Sequence, residues 1–308
     1  MARMGKPLWK IDPPVRSWTW PAPSAYHLPM LERHLSCLSP SGFHRLAYDE
    51  WPGPPGAPTL MCVHGLTRNA RDFDAIAAVL SRHYRVVCPD MPGRGRSEWL
   101  ANQAEYAFPT YLADCAQLIA RLDVESLDWI GTSMGALIGM MLAAQKGSPI
   151  RRLVLNDAGP FISKQALAWL GSFIGADPTF ESLDAMERAV RQNSAGFGRL
   201  TDAQWRRMTL CLARAKEGGF GYAYDPRIGD GLRQGEARDV DLWAQWDAIT
   251  APTLLIRGAE SDVLRHDDAV AMTQRGPRAR LVELPGIGHA PALRAADQIA
   301  LVRDFLRA

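Results

Sequence analysis

The sequence has no hydrophobic run long enough to cross a membrane. Its longest apolar stretch, residues 137–144 with one glycine, is far shorter than the ~18 residues that span a bilayer. Residues 1–15 alternate basic residues, proline and isolated apolar residues, and they lack the hydrophobic core of a secretory signal. We therefore predict a cytoplasmic protein that does not act at a membrane.

Excess charge and paired cysteines are also missing. The net charge is only +2, and no basic block is interleaved with aromatic residues, so nucleic acid is not an expected partner. The five cysteines are scattered and lack Cys-x-x-Cys spacing, which predicts free, buried thiols. No internal repeat is present, and 308 residues predict one large domain with at most one insertion.

Short apolar or β-branched runs recur eight times along the chain. Between most of the later runs, apolar residues spaced by three and four indicate amphipathic helices, as in residues 73–80 and 111–122. Strands that alternate with helices predict a mostly parallel, eight-stranded sheet with helices on both faces. The first two runs, joined by Ser39-Pro40-Ser41-Gly42, predict an antiparallel hairpin at one edge. The eight runs are residues 34–38, 44–48, 59–63, 85–88, 127–130, 153–155, 253–256 and 281–284.

The alternation of strands and helices breaks between residues 160 and 247. Two amphipathic helices are predicted there, near residues 183–190 and 205–212, and Thr201 with Gln204 forms a capping-box pattern before the second. The segment is rich in aromatic rings, most of which must form its own small core. We predict a helical cap over residues 160–247, a core over residues 31–159 and 248–308, and an N-terminal arm over residues 1–30.

The pentapeptide Gly131-Thr132-Ser133-Met134-Gly135 follows a predicted strand and precedes a predicted helix. A serine at such a turn stands exposed at the carboxyl end of a sheet, and its flanking glycines avoid clashes with neighbouring backbone. Ser133 is therefore the candidate nucleophile. The pattern alone also arises by chance in proteins of this size, so the other parts of a catalytic site must be found.

A nucleophilic serine needs a histidine to accept its proton. His289 lies in a glycine-bounded loop directly after the last predicted strand, and loops that follow parallel strands gather at one end of the sheet. His289 is therefore the candidate base. The histidines that lack this placement are interpreted as surface or packing residues: His27, His34, His44, His83 and His266.

The carboxylate that orients the histidine has several candidates at the same end of the sheet. Asp262 and Glu260 follow the seventh predicted strand, and Asp157 follows the sixth. The order Ser133, Asp262, His289 is the serine, acid, histidine order of one hydrolase architecture. We therefore predict Asp262 as the acid, with Asp157 as its main rival.

His64-Gly65, immediately after the third predicted strand, supplies the last part of the site. Backbone N–H groups aimed at a developing oxyanion stabilise it by roughly 3 kcal/mol each. The natural donors are the amides of Leu66 and Met134, the residue after the nucleophile. His64 itself is interpreted as a structural residue of its loop.

Together these motifs resemble the α/β-hydrolase superfamily, and in particular its cap-bearing serine esterases. The resemblance rests on the serine pentapeptide, His64-Gly65-Leu66-Thr67, the loop at residues 90–97, and the segments at 258–264 and 286–291. It implies the α/β-hydrolase fold and a Ser133, Asp262, His289 triad with a Leu66 and Met134 oxyanion hole. An aspartate nucleophile, as in dehalogenases and epoxide hydrolases of this fold, is excluded by Ser133.

The reaction expected from these residues is hydrolysis of carboxylic esters through an acyl-enzyme. The cap composition favours small to medium apolar esters, with lactones or hydroxyalkanoate oligomers included. No ligand cluster is visible in the sequence, so we expect neither a metal nor an organic cofactor. The same triad also allows a carbon–carbon bond hydrolase, a cofactor-free perhydrolase, or a small-molecule receptor with a vestigial triad. The sequence leaves open the natural substrate, the oligomeric state and whether the cap is open.

Overall fold

The computed structural model describes residues 30–233 and 238–308. The predicted arm, apart from Met30, therefore lies outside the described residues. Strands β1–β6 and helices α1–α3 form the first half of the chain. They are β1 Leu31–Ser39, β2 Gly42–Trp51, β3 Thr59–Val63, α1 Asp74–Leu80, β4 Arg85–Pro89, α2 Phe108–Leu122, β5 Leu127–Thr132, α3 Met134–Ala143 and β6 Ile150–Asn156.

Segment 160–247 contributes short strands and helices, and the remaining elements complete the sheet and its outer layers. The elements are β7 Phe161–Ile162, α4 Lys164–Gly171, α5 Leu183–Asn193, α6 Asp202–Leu212, β8 Ala213–Lys216, β9 Gly219–Tyr222, α7 Asp230–Arg233, β10 Val240–Asp241, α8 Trp243–Ala248, β11 Thr253–Gly258, α9 His266–Met272, β12 Arg280–Leu284 and α10 Ala296–Arg307. Short 3₁₀ turns include Ala195–Phe197, which lies close to the site described below.

The main sheet has eight strands in the order β1-β2-β4-β3-β5-β6-β11-β12. Strand β2 is antiparallel to both of its neighbours, and the pairs from β4 to β12 are parallel. The predicted fold class and the edge hairpin are confirmed. Because the parallel strands share one direction, the loops after β3, β5, β6, β11 and β12 meet at one end of the sheet.

Apolar residues cover both faces of the sheet. Every residue of β3 and of β11 is buried, as expected for central strands between two layers of helices. Helix α2 buries Tyr111, Cys115 and Leu118 at helical spacing, which is the apolar face that the sequence predicts. All five cysteines are free, as predicted; Cys37, Cys62, Cys88 and Cys115 are buried, whereas Cys211 is only partly buried. No helix of the described ranges is long and apolar enough to cross a membrane.

Segment 160–247 contains the two predicted helices and more strand than the sequence indicates. The predicted residues fall in α5 and α6, and the capping box of Thr201 and Gln204 is present. The additional strands pair as β8 with β9 and as β7 with β10. These strands are two to four residues long and only partly buried, so they carry no apolar alternation by which the sequence could reveal them.

Hydrogen bonds join segment 160–247 to the loops of the core. The Tyr106 hydroxyl donates to Asp225 at 2.6 Å, and the Asn69 side chain donates to the Cys211 carbonyl at 2.7 Å. The turn at residues 195–197 contacts the loop after β12 through the Gly288 amide, which donates to the Gly196 carbonyl at 2.8 Å. The segment is thus bonded directly to the end of the sheet where the candidate residues lie.

Candidate active site

Ser133 occupies a sharp turn between β5 and α3. Its backbone has φ 51° and ψ −114°, and a positive φ is unusual for a residue with a side chain. A Cβ on Gly131 would lie 2.2 Å from the Gly135 carbonyl oxygen, and one on Gly135 would lie 2.0 Å from the Val63 carbonyl oxygen. Both distances are far below contact, so the turn packs as tightly as the glycine spacing predicts.

His289 stands beside the serine. The loop after β12 places Nε2 of His289 2.9 Å from Oγ of Ser133, within hydrogen-bond reach. The His289 side chain is 15% exposed, so one edge of the imidazole remains open to a substrate or to water. The structure thus brings together the predicted nucleophile and the predicted base, which lie 156 residues apart in the sequence.

The carboxylate at His289 is Asp157 and not Asp262. Oδ2 of Asp157 lies 2.6 Å from Nδ1 of His289, and the Asp157 side chain is fully buried. Asp262 and Glu260 are exposed. The prediction of Asp262 is therefore wrong as to geometry: the chain turns at the end of β6 so that Asp157, at φ 59°, points towards the histidine.

The loop that carries Asp262 still contributes to the site, because it holds Asp157. The Gly258 amide donates to Oδ1 of Asp157 at 3.1 Å, and the Ser261 hydroxyl donates to Oδ2 at 2.7 Å. Ser261 was not singled out from the sequence, and its proximity to Asp157 depends on the neighbouring positions of β6 and β11.

Asn156, the residue before Asp157, ties the serine turn to the histidine loop. Its side-chain amide donates to the Thr132 hydroxyl at 3.1 Å and to the Pro291 carbonyl at 2.8 Å. Its backbone carbonyl accepts from the Ser133 amide at 2.9 Å. Sequence reasoning missed this residue, since an asparagine at a strand end has no signature that separates it from a turn residue.

Leu66 and Met134, the predicted oxyanion donors, lie on either side of a buried arginine. Nε of Arg94 donates to the Leu66 carbonyl at 2.8 Å, and Nη2 lies 3.8 Å from the Met134 sulfur. Met134 is the first residue of α3, so its amide has no carbonyl partner within the helix. Arg94 is completely buried, and it also donates to the Tyr111 hydroxyl at 3.0 Å. Arg94 therefore holds the Leu66–Thr67 peptide group in place through the Leu66 carbonyl.

His64 is a structural residue of this loop, as predicted. Its Nδ1 lies 2.7 Å from the Gly65 carbonyl, and its Nε2 accepts from the Met91 amide at 2.9 Å. These partners require a neutral ring that carries its proton on Nδ1. Complete burial lowers the pKa of His64 to about 4, so the ring stays neutral at neutral pH.

One group of side chains in the described part of the chain has the composition of a metal site. Ligand atoms of Cys37, His44 and Asp114 lie within 4.8 Å of one another, and all three residues are buried. His44 and Asp114 already share a hydrogen bond of 2.9 Å, and burial raises the pKa of the Cys37 thiol to about 12. A protonated thiol beside a paired histidine is a buried polar network rather than a prepared metal site.

Comparison with known proteins agrees with this architecture. A family model described as the alpha/beta hydrolase fold matches residues 58–295. The chain is 42% identical over 280 residues to the 3-hydroxybutyrate-oligomer hydrolase of Cupriavidus necator, which covers 88% of this chain and 96% of the relative. It is 27% identical over 262 residues to the pimeloyl-[acyl-carrier protein] methyl ester esterase of Nitrosomonas europaea. That alignment covers 81% of this chain and 95% of the relative.

A solved structure has the same fold. An α/β hydrolase from Novosphingobium aromaticivorans is 35% identical, superposes with a TM-score of 0.82, and covers 90% of this chain and 98% of its own. The chain therefore belongs to the α/β hydrolase fold family, and the resemblance inferred from its motifs is confirmed. The relatives support a hydrolase of this fold.

Proposed function

We propose that the protein is a serine hydrolase that cleaves carboxylic esters, with Ser133 as nucleophile, His289 as base and Asp157 as the orienting acid. The observation that carries this proposal is the continuous hydrogen-bonded chain from Ser133 through His289 to Asp157, with distances of 2.9 and 2.6 Å. A serine, histidine and carboxylate in this order share the work of proton transfer in acyl transfer.

In the first half of the proposed reaction, Oγ of Ser133 attacks the ester carbonyl carbon while Nε2 of His289 takes the hydroxyl proton. Asp157 holds Nδ1–H and stabilises the imidazolium that forms. The amides of Leu66 and Met134 donate to the oxyanion. The C–O bond to the alcohol then breaks, and His289 returns the proton to the departing oxygen, which leaves an acyl-enzyme.

In the second half, water replaces the alcohol. His289 takes a proton from the attacking water, a second oxyanion forms in the same place, and the bond to Oγ breaks. The proton passes to Oγ, so ester and water become acid and alcohol with the enzyme unchanged. No metal or organic cofactor takes part in this scheme.

The substrates we propose are small to medium esters, and among them short linear oligomers of 3-hydroxybutyrate. Support for this class comes from the relative in Cupriavidus necator, whose alignment extends over nearly its whole length. Segment 160–247 would act as a cap that shapes the pocket, since its turn at residues 195–197 contacts the histidine loop.

A series of p-nitrophenyl esters from acetate to palmitate, together with the linear 3-hydroxybutyrate dimer, tests the proposal. We expect turnover by the native protein. Ser133→Ala and His289→Ala should each lower kcat by about 10⁴ to 10⁶, and the double variant should be no slower than the singles because the residues act as one unit. Turnover retained by Ser133→Ala, or additive losses, would contradict the proposal.

A further inference from the structure

A small pocket beside Ser133 and His289 is lined by an arginine, Arg294, with one guanidinium nitrogen that has no hydrogen-bond partner among the described residues. Thr132 and Ala290, the sequence neighbours of the two candidate catalytic residues, line this pocket together with Arg68, Asp72 and Arg294. The accessible space is about 30 Å³, which is room for one small group and not for a chain of carbons.

Arg294 is the residue that distinguishes the pocket. Its side chain is only 6% exposed, and Nη2 is buried without a hydrogen-bond partner among the residues that the structure describes. The carboxylate of Asp72 lies 4.0 Å from that nitrogen, beyond hydrogen-bond distance. A buried guanidinium nitrogen without a partner is costly, so an acceptor is expected there.

Asp72 does not accept a hydrogen bond from Arg294, because both of its carboxylate oxygens are already paired with Arg68. Nε and Nη2 of Arg68 donate to the two carboxylate oxygens at 2.7 and 2.6 Å, a bidentate pair. Arg68 also lies over the Phe197 ring, 5.3 Å from its centroid. Two guanidiniums and one carboxylate line the pocket, so its side chains carry one net positive charge.

The pocket is close to the reacting atoms. A Cβ on Gly65 would lie 3.6 Å from Cγ of Arg68 and 3.7 Å from Cβ of Ser133, so these two side chains flank the same glycine. A substrate whose carbonyl is at Ser133 can therefore reach the pocket with a group only a few bonds away from the ester.

From these observations we propose that Arg294 binds a carboxylate of the substrate, so that the preferred substrates are acidic esters. The proposal rests on the proposed ester hydrolysis and adds a charge requirement to it. In a linear hydroxyalkanoate oligomer the free carboxylate belongs to the alcohol part of the last ester bond. When Arg294 binds this carboxylate, the last ester bond lies at Ser133, and the terminal hydroxyalkanoate unit leaves as the alcohol. This replaces the apolar preference expected from composition.

The linear 3-hydroxybutyrate dimer and its primary amide, in which –CONH₂ replaces the free carboxylate, form the test pair, because they share a single ester bond and differ in one negative charge. We expect kcat/KM to be about 10- to 100-fold higher for the acid, the range of one charge-assisted hydrogen bond. Arg294→Gln should lower this ratio about tenfold or more, and Arg294→Lys should lower it less. Arg303→Gln, at a partly exposed arginine of α10, serves as the matched control and should keep the ratio.

Binding measured without turnover separates this proposal from the proposed function. Calorimetric titration of Ser133→Ala with the dimer acid and with its primary amide should show tighter binding of the acid, and Arg294→Gln in the same background should abolish the difference. Equal binding, or a ratio that Arg294→Gln leaves unchanged, overturns the carboxylate site even if esters are hydrolysed. Selective binding without any turnover overturns the esterase and keeps the site.

Discussion

At the scale of single residues, the position of Asp157 is fixed from several sides. His289 and Ser261 both contact Oδ2, and the Gly258 amide contacts Oδ1. The carboxylate is fully buried, so it has little freedom to turn away from the histidine. An acid held in this way selects the tautomer of His289 that leaves Nε2 free to accept the serine proton.

Asparagine at position 157 keeps the shape of the side chain and removes its charge. We expect Asp157→Asn to lower kcat by about 10⁴, because the amide favours the wrong tautomer of His289. Asp262→Asn, at an exposed position of the adjoining loop, is the matched control and should change kcat less than twofold. Ester turnover by the two purified variants, with circular dichroism to check folding, measures the difference. The reverse ranking would return the acid to Asp262.

The sequence could single out Ser133 and His289 as candidates that lie close together, because each has a local signal: glycines around a turn, and a glycine-bounded loop after a strand. It could not choose between Asp157 and Asp262, since both follow neighbouring strands and the choice depends on which way one backbone turns. Arg294 is harder still. Its role depends on Arg68 having already paired with Asp72, which no spacing along the chain reveals.

At the scale of elements, the strand β5, the turn at Ser133 and helix α3 are held against β3 by close backbone contact. The indole of Trp129 on β5 donates to the Gly135 carbonyl at 3.1 Å. Gly135 in turn faces the carbonyl of Val63 with no room for a side chain. The backbone geometry of the candidate nucleophile Ser133 therefore depends on β3, β5 and α3 together.

A methyl group at Gly135 would push helix α3 away from β3. We expect Gly135→Ala to destabilise the protein by about 1–3 kcal/mol, the range for overpacking, and to lower kcat because Ser133 moves with the helix. Gly231→Ala is the matched control: a Cβ there meets nothing within 4 Å, and the residue lies in helix α7. Urea unfolding and ester turnover measure both effects. If Gly135→Ala changed neither the free energy of unfolding nor kcat, α3 would be free to shift away from β3.

At the scale of the whole molecule, the sheet, its edge hairpin and the layers of helices follow from hydrophobic patterning, because each long element buries a continuous face. All eight predicted runs fall in strands of the main sheet. Segment 160–247 is less predictable, since its short strands are defined by their contacts and not by periodicity. Its role as a cap stays a prediction.

Acid should weaken the whole fold partly through His64. Its pKa is lowered to about 4 in the folded protein and is near 6.5 when the chain unfolds. The unfolded state therefore binds more protons between these values, and stability is lost as pH falls from 6.5 towards 4. The shift corresponds to about 3 kcal/mol at most. We expect the pH slope of unfolding free energy in His64→Gln to be flatter than in the native protein.

The measurement is urea unfolding at several pH values between 4 and 7, with His83→Gln as an exposed histidine control. The difference between variant and native protein is the quantity to compare, because other groups titrate in the same range. Burial raises the pKa of Asp49 to about 6, which opposes the effect of His64. Identical slopes for His64→Gln and the native protein would show that protonation of His64 does not drive acid unfolding.

The turn at residues 195–197 is bonded to the histidine loop at two points, Gly196 to Gly288 at 2.8 Å and Phe197 to Ala292 at 3.3 Å. An outward swing of this turn must either break those bonds or carry the loop, with His289 on it, away from Ser133. If the bonds hold, opening the turn to admit a substrate also separates His289 from Ser133. In such an open state Ser133 would lack its hydrogen-bond partner and would have the reactivity of an ordinary alcohol until the turn returned.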